Sequence, residues 1–288
     1  MPTPSISFEF FPPKSLQASF RLWECASTLA SLDPTFVSVT YGAGGTTRKL
    51  THEAVTTLQS QLNLSVAAHL TCVNATRQET SEILNTYAAS GVKDIVALRG
   101  DAPKGTTSFT PHPDGFADSV ELIEAIANQG EFNITVGAYP EKHPEAANIK
   151  ADIAYLKRKI DAGATRAITQ FFFEADTFFR FRDECQAAGI DAPIVPGILP
   201  IESWTGVQRF AHACGTSIPQ VVIDAFHNAE RDGTSDLLAT ALATELCDEL
   251  IQGGVEHLHF YTLNKPDLTR DVCHALGMTP KVRLQNVA

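Results

Sequence analysis

A carboxylate set among aromatic rings is the first feature with chemical weight. Glu9 stands between Phe8, Phe10 and Phe11, where an ionised group is costly unless it is paired or protonated. Gln170, between Ile168 and Phe171, poses the same question, because a buried amide needs hydrogen-bond partners. Other polar groups recur where apolar runs end: Thr40-Tyr41, His69, Arg99-Gly100-Asp101, Tyr139 through Glu141 to His143, and Tyr261. Each has a plainer reading. His69 on an apolar run can be a satisfied core histidine, Arg99 and Asp101 can form a structural ion pair, and the glycines at 42, 44 and 45 can be a tight turn. Thr47 occupies the place of the third glycine of a dinucleotide fingerprint and there is no Walker A motif, so neither a Rossmann unit nor a P-loop is indicated. In the segment Ile149–Asp161, Ile149, Ile153, Leu156 and Ile160 form a core stripe at helical spacing. Asp152, Tyr155 and Lys159 line one edge of it, where a ligand could be gripped, and Arg158 projects nearly opposite.

These residues need a scaffold, and the periodicity supplies one. Strands are expected at 6–10, 36–40, 65–70, 94–98, 134–138, 166–171, 194–197 and 257–261. Helices are expected between them at 20–31, 48–61, 76–90, 117–127, 149–161 and 177–188, with a last one at 269–276. Eight strands alternating with helices predict a single α/β domain over residues 1–288, a (βα)8 TIM barrel. The long gap before the last strand holds helical stretches at 205–214 and 236–252 and reads as an extra helical insertion. Gly91, Gly163, Gly189 and Gly253 follow helical patterns, where a left-handed C-terminal residue is wanted. The polar positions collected above fall at the C-terminal ends of the strands, where such barrels place their sites.

The net charge of −11, from 33 acidic and 22 basic residues, disfavours nucleic acid and anionic membrane as partners, so cations for an anionic ligand must be concentrated locally. The six cysteines form no C-x-x-C pair, which argues against a zinc site and for reduced, mostly buried thiols. No basic n-region with a following apolar run opens the chain, and no apolar stretch has membrane-spanning length, so a cytoplasmic location is expected.

Taken in order, the segments resemble one family. Ser7–Lys14 (S-F-E-F-F-P-P-K), Val39–Arg48 (V-T-Y-G-A-G-G-T-T-R), Ala68–Cys72 (A-H-L-T-C) and Leu98–Pro103 (L-R-G-D-A-P) are similar to motifs of the methylenetetrahydrofolate reductases. Ala138–Ala146 (A-Y-P-E-K-H-P-E-A), Lys157–Phe173, Pro196–Pro200 and His259–Asn264 (H-F-Y-T-L-N) continue the match over nearly the whole chain. The length resembles the short bacterial type, with the catalytic barrel alone. The resemblance implies FAD as cofactor, NADH or NADPH as reductant, and ping-pong hydride transfer to 5,10-methylenetetrahydrofolate. It implies Glu9 as general acid, its proton kept available near neutrality by burial. Asp101 would tune the flavin and meet the pterin, and Gln170 would serve both substrates in turn. Flavin contacts are implied at Thr40, His69, Arg99, Gly100, Asp101, Ala117, Tyr139, His143, Ala146, Asp152, Tyr155, Arg158 and Lys159. Substrate contacts are implied at Gln170, Phe210, Tyr261 and Lys265.

Some positions depart from the pattern. Lys265 stands for an arginine, Phe116 for a tyrosine, Tyr155 for an asparagine and Gly206 for a glutamine, with Gln208 nearby. A lysine offers a carboxylate a point charge in place of a bidentate grip. Two other functions compete with the reductase: a barrel lyase, for which no Schiff-base lysine stands at a strand end, and a non-catalytic flavin- or folate-binding subunit. Small-molecule substrates and a homo-oligomer are expected; no Rossmann acidic residue decides NADH against NADPH.

Overall fold

The structure, a computed structural model, describes residues 3–41, 48–101, 109–130 and 132–280. The glycines at 42, 44 and 45 and the Ala102-Pro103 end of L-R-G-D-A-P lie outside the described residues. Among the described residues nine strands pair in parallel: β1 (Ser5–Phe10), β2 (Phe36–Val39), β3 (Val66–Thr71), β4 (Asp94–Leu98), β5 (Asn133–Ala138), β6 (Arg166–Thr169), β7 (Ile194–Val195), β8 (Gly197–Ile198) and β9 (His257–Tyr261). Their order is β7-β6-β5-β4-β3-β2-β1-β9-β8. The two ends of this ladder, β7 and β8, are halves of one extended segment divided by Pro196, which has no N–H to give. β7 pairs with β6 and β8 with β9, so the expected seventh strand closes the barrel in two pieces. Counted this way the barrel is eight-fold, as the spacing predicts.

Alternation along the strands separates two cores. Ile6, Phe8 and Phe10 of β1 face outward into the large cluster between barrel and helices. There Phe8, Phe178 and Phe260 are fully buried, each worth roughly 1.5–3 kcal/mol against exposure. Ser5, Ser7 and Glu9 face inward, in register with His257, His259 and Tyr261 of β9. The interior also holds a separate small apolar cluster of Phe36, Ala67, Val96, Ile168 and Val195. Such barrel interiors are ordinarily filled by branched aliphatic side chains, so a polar seam along β1 and β9 is unusual. Polar residues also meet at the opposite rim, where Asn133 Nδ2 donates to Asp94 Oδ1 at 3.3 Å and Arg166 Nη2 lies 3.9 Å from the same oxygen. The strand ends at the mouth are therefore not the only polar ones.

The ring helices are α1 (Leu16–Ala30), α2 (Arg48–Leu62), α3 (Arg77–Ala89), α4 (Ser119–Gln129), α5 (Ile149–Asp161) and α6 (Ala175–Ala187). After β8 come α7 (Trp204–Cys214), α8 (Gln220–Asp232) and α9 (Ser235–Gln252), and α10 (Asp267–Ala275) follows β9. α9 touches both α6 and α10 and so fills the seventh place in the ring. The insertion is α7 and α8, packed around Trp204 and Phe226, whose rings stack 4.6 Å apart. α8 is not among the expected helices. Its signals are Pro219 before it, Gly233 after it, and Val222, Phe226 and Ala229 at helical spacing. α1 begins a turn earlier than expected, because the Ser15 hydroxyl caps the amide of Ala18. Gly91, Gly163 and Gly189 have positive φ as expected, whereas Gly253 has φ −79° and the left-handed residue is Gly254. Gly253 is needed for room, since a Cβ there would lie 2.1 Å from the Phe179 ring.

Candidate active site

The centre of the barrel mouth is built on β1, β3 and β9. Glu9 Oε2 lies 3.3 Å from His69 Nε2 and 3.9 Å from His259 Nε2. The side chains are 17% exposed for Glu9, 7% for His69 and 1% for His259, so all three sit in the mouth rather than on the surface. The His69 contact is electrostatic, since its Nε2 makes no hydrogen bond. The backbone of Glu9 is held from the loop after β9: Thr262 Oγ1 donates to the Glu9 carbonyl at 2.7 Å. Asn264 gives and takes a bond with the Phe11 backbone, at 3.0 and 2.9 Å. The T-L-N end of H-F-Y-T-L-N is thus a latch that fixes the strand carrying Glu9.

The expected raised pKa of Glu9 is not what this arrangement gives. Burial does push the carboxyl up, but the combined pull of His259 and His69 outweighs it and holds the group at about 2. Of the phenylalanines that suggested an apolar pocket, Phe8 and Phe10 face the helices on the other side of the strand and Phe11 is exposed. On β9, burial, with His259 and Arg166 nearby, pushes His257 down to about 4. Both groups bind more protons in the unfolded chain, so stability is lost as pH falls. His257 acts between about 6.5 and 4, and Glu9 between about 4.5 and 2. Urea midpoints measured from pH 7 to 4 should fall, and the drop above pH 4.5 should be smaller in His257→Gln.

Gln170 and Tyr261 complete the mouth. Gln170, just past β6, gives its amide to Cys214 Sγ at 3.2 Å and accepts from the Phe171 amide at 3.1 Å. Tyr261 donates its hydroxyl to the Thr169 carbonyl at 2.7 Å. Beside the mouth opens a cleft of about 1500 Å³ between β3, β4, β5, α4 and α5. Its walls include Arg99, Gly100, Asp101, Ala117 and Tyr139, and, from the loop after β5 and from α5, His143, Ala146, Asp152, Tyr155 and Lys159. Ten of the thirteen expected flavin contacts therefore line one space. Thr40, at the end of β2, and His69 are outside that lining, and Arg158 is on the rim, 60% exposed and 3.7 Å from Asp118.

The charges in the cleft are specific. Arg99 is paired bidentate with Glu145, its Nη2 donating at 2.9 Å, so its partner is not the Asp101 considered from sequence. Lys159 is half-buried, and the desolvation of its ammonium pushes it down to about 8, while its Nζ donates to the Gly137 carbonyl at 2.9 Å. Among the described residues it has no ion-pair partner within 4 Å. A desolvated ammonium in that state favours an anion beside it. The amides of Val120 and Glu121 at the start of α4 accept no such role, because both donate to the Asp118 carboxylate. Tyr139 packs edge-on against His143, 4.6 Å between centroids, and Tyr155 bonds Ser119 at 3.0 Å. Residues that the sequence reading left without a role are His259, Ser7, Glu145 and Cys214; for the first two the signal was present, as a period-two S-x-S-x-E strand and an H-x-H-x-Y strand.

The remaining expected contacts lie across the mouth. Phe210 of α7 is 44% exposed. Lys265 Nζ is 3.4 Å from Glu202 Oε2. Gly206 sits in the first turn of α7, its amide donating to Ser203 Oγ at 3.3 Å. Phe116 is buried under the Arg77 guanidinium, 4.5 Å from its ring centre, a place with no call for a hydroxyl. All six cysteines are free and all but Cys214 are buried. No described helix is long and apolar enough to cross a membrane.

Comparison with known proteins identifies this arrangement. The family described as Methylenetetrahydrofolate reductase matches residues 2–277. The 5,10-methylenetetrahydrofolate reductase of Pectobacterium carotovorum subsp. carotovorum is 43% identical over 96% of this chain and 92% of its own length. That of Escherichia coli (strain K12) is 42% identical, with the same shares covered. Methylenetetrahydrofolate reductase (NADH) 1 of Arabidopsis thaliana is 36% identical over 97% of this chain and 49% of its own length. Among solved structures, a Clostridium thermocellum protein described as binding two copies of 5-methyl-5,6,7,8-tetrahydrofolic acid has the same fold, with TM-score 0.63 and 14% identity over 96% of this chain and 95% of that one. A β1 carboxylate held in a barrel mouth beside a cation-bearing cleft is thus found in a chain that belongs to the methylenetetrahydrofolate reductase family.

Proposed function

We propose that this chain reduces 5,10-methylenetetrahydrofolate to 5-methyltetrahydrofolate, with NADH or NADPH as reductant and FAD as cofactor, in ping-pong order. The observation that carries the reading is the placement of Glu9. It stands at the floor of the mouth between two histidines, next to a cleft of a size and charge suited to an aromatic dinucleotide. FAD, when bound, supplies a two-electron store that takes hydride from one substrate and gives it to the next. The cleft residues fit it: Lys159 and Arg99 offer cationic donors to a diphosphate, and Tyr139, Tyr155 and His143 offer ring surfaces. Glu9 delivers a proton to the folate nitrogen whose bond to the bridging carbon must break, which opens the ring to a reactive iminium. Gln170 presents one donor and one acceptor and so suits two different substrates in turn. The printed name of the Arabidopsis relative favours NADH, and a homo-oligomer belongs to the same proposal.

One experiment separates the half-reactions. Anaerobic protein loaded with FAD should bleach with NADH and recover its visible bands when methylenetetrahydrofolate is added. Bleaching without recovery would leave a reductase with another acceptor, and no flavin binding at all would remove the mechanism. The cleft assignment has its own check. Lys159→Met should weaken FAD binding about 10- to 100-fold, the worth of one charge-assisted hydrogen bond. Fluorescence titration measures this, and unchanged affinity would move the diphosphate elsewhere.

A further inference from the structure

The polar seam inside the barrel is a continuous hydrogen-bonded chain. From the bottom rim upward, Ser5 Oγ is 3.0 Å from the Glu256 carbonyl and 2.7 Å from His257 Nδ1. His257 Nε2 is 2.8 Å from Ser7 Oγ, which is 2.7 Å from His259 Nδ1. His259 Nε2 then faces Glu9 Oε2 across 3.9 Å. Ser7 and His259 are almost wholly buried, with 0% and 1% exposure, so no solvent competes along the upper half.

One end of this chain has no choice of direction. A backbone carbonyl only accepts, so the Ser5 hydroxyl must donate to Glu256. A serine has a single proton, so Ser5 Oγ must accept from His257 Nδ1–H. His257 is held neutral, which leaves its Nε2 as a lone pair that accepts from the Ser7 hydroxyl. Ser7 in turn must accept from His259 Nδ1–H. The outcome at the top is fixed: the Nε2 of a neutral His259 points a lone pair at Glu9. The groups that face this seam from other strands do not reverse it. Arg166 donates to Thr135 Oγ1 at 3.2 Å and is 3.9 Å from Asp94, while His69 Nε2 offers a second contact to the carboxylate alone.

We infer that Ser5, His257 and Ser7 are positioning residues that lock the tautomer of His259, so that its Nε2 lone pair faces Glu9 and accepts the hydrogen bond of the protonated carboxyl. The inference rests on the reading of Glu9 as the acid. With the mouth open to water Glu9 is ionised and burial keeps His259 neutral. When ligands cover the mouth, the carboxylate loses the water that solvates it, which favours its neutral form. It takes a proton from that water before closure, an O–H bond forms on Glu9, and His259 Nε2 accepts it as a hydrogen bond. The carboxyl becomes an acid when a substrate is there to receive the proton.

Nitrogen-15 histidine spectra of the full chain test this directly, because protonated and lone-pair ring nitrogens differ widely in shift. His257, assigned by its loss in His257→Gln, should be the Nδ1–H tautomer in the wild type and a mixture in Ser5→Ala. An Nε2–H tautomer in the wild type would overturn the lock. In the FAD-loaded enzyme, Ser5→Ala should slow folate reduction roughly tenfold, part of the about 10²–10⁴ that general acid catalysis contributes. NADH oxidation with a quinone acceptor should be unchanged, and Ser5→Thr should restore the folate rate. Equal loss with both acceptors, or no loss with either, sinks the proposal. A wild type that reduces quinone but never folate would end the functional reading, while the nitrogen spectra would still decide the lock.

Discussion

Glu9→Gln should abolish most folate reduction, lowering its rate by about 10²–10⁴, while NADH still reduces the bound flavin. The amide keeps the shape of the carboxyl and its place between His69 and His259, 3.3 and 3.9 Å away. It cannot give up a proton. Stopped-flow absorbance distinguishes the two half-reactions, since one bleaches the flavin and the other restores it. The variant should also lose the part of the acid sensitivity that belongs to Glu9, between about 4.5 and 2, where the unfolded chain would otherwise bind the extra proton. If bleaching by NADH slows as much as recovery with folate, Glu9 serves flavin or nicotinamide binding and not proton transfer.

A larger structural effect is expected from a single methyl group at Gly197. Built there, a Cβ would lie 2.1 Å from the Thr169 carbonyl oxygen and 2.6 Å from the Tyr261 ring. Neither neighbour can yield cheaply. Thr169 Oγ1 accepts from the Gly197 amide at 3.0 Å, and the Thr169 carbonyl accepts from the Tyr261 hydroxyl at 2.7 Å. Gly197→Ala would therefore push β8 away from the ends of β6 and β9. Overpacking of this kind costs about 1–3 kcal/mol or more, which for a chain of this size lowers Tm by roughly 2–5 °C. Thermal unfolding reads the shift directly. Because Tyr261 is in register with Glu9, the variant should also raise KM for folate. A Tm within a degree of the wild type would mean that the β7–β8 junction has slack the geometry does not show.

The repetition of strand and helix was legible because each unit is local: a few β-branched residues, a capped helix, a glycine. Elements decided by tertiary contact were less so. β7 and β8 are two residues each and gain their identity only from pairing on opposite sides of Pro196. α8 carries adequate local signals, but sits in an insertion whose partners, Trp204 and α9, are not predictable from barrel periodicity. Gly253 looked like a helix terminator and is instead the space for Phe179. The cleft residues were legible as types, and ten of them share one wall. What failed was electrostatics. The neighbours in sequence of Glu9 are rings that point away from it, and its neighbours in space are histidines about 60 and 250 positions later. Period-two spacing shows which face a residue occupies, not what stands opposite in another strand.

The pairing of the first strand with the last has a consequence for synthesis. Ser7 and His259 are 252 positions apart, and Glu9 takes its electrostatic surroundings from β9. A chain emerging from the ribosome carries its carboxylate from the outset, but cannot assemble the site until nearly all the rest has been made. Up to that point β1 has only β2 beside it and an open edge where β9 will dock. The closure entropy of so long a loop is spent in a single late event that seals the edge and places the histidines together. Competence and closure thus arrive in the same step, and a nascent chain stalled before β9 would hold the acid without either histidine of the last strand.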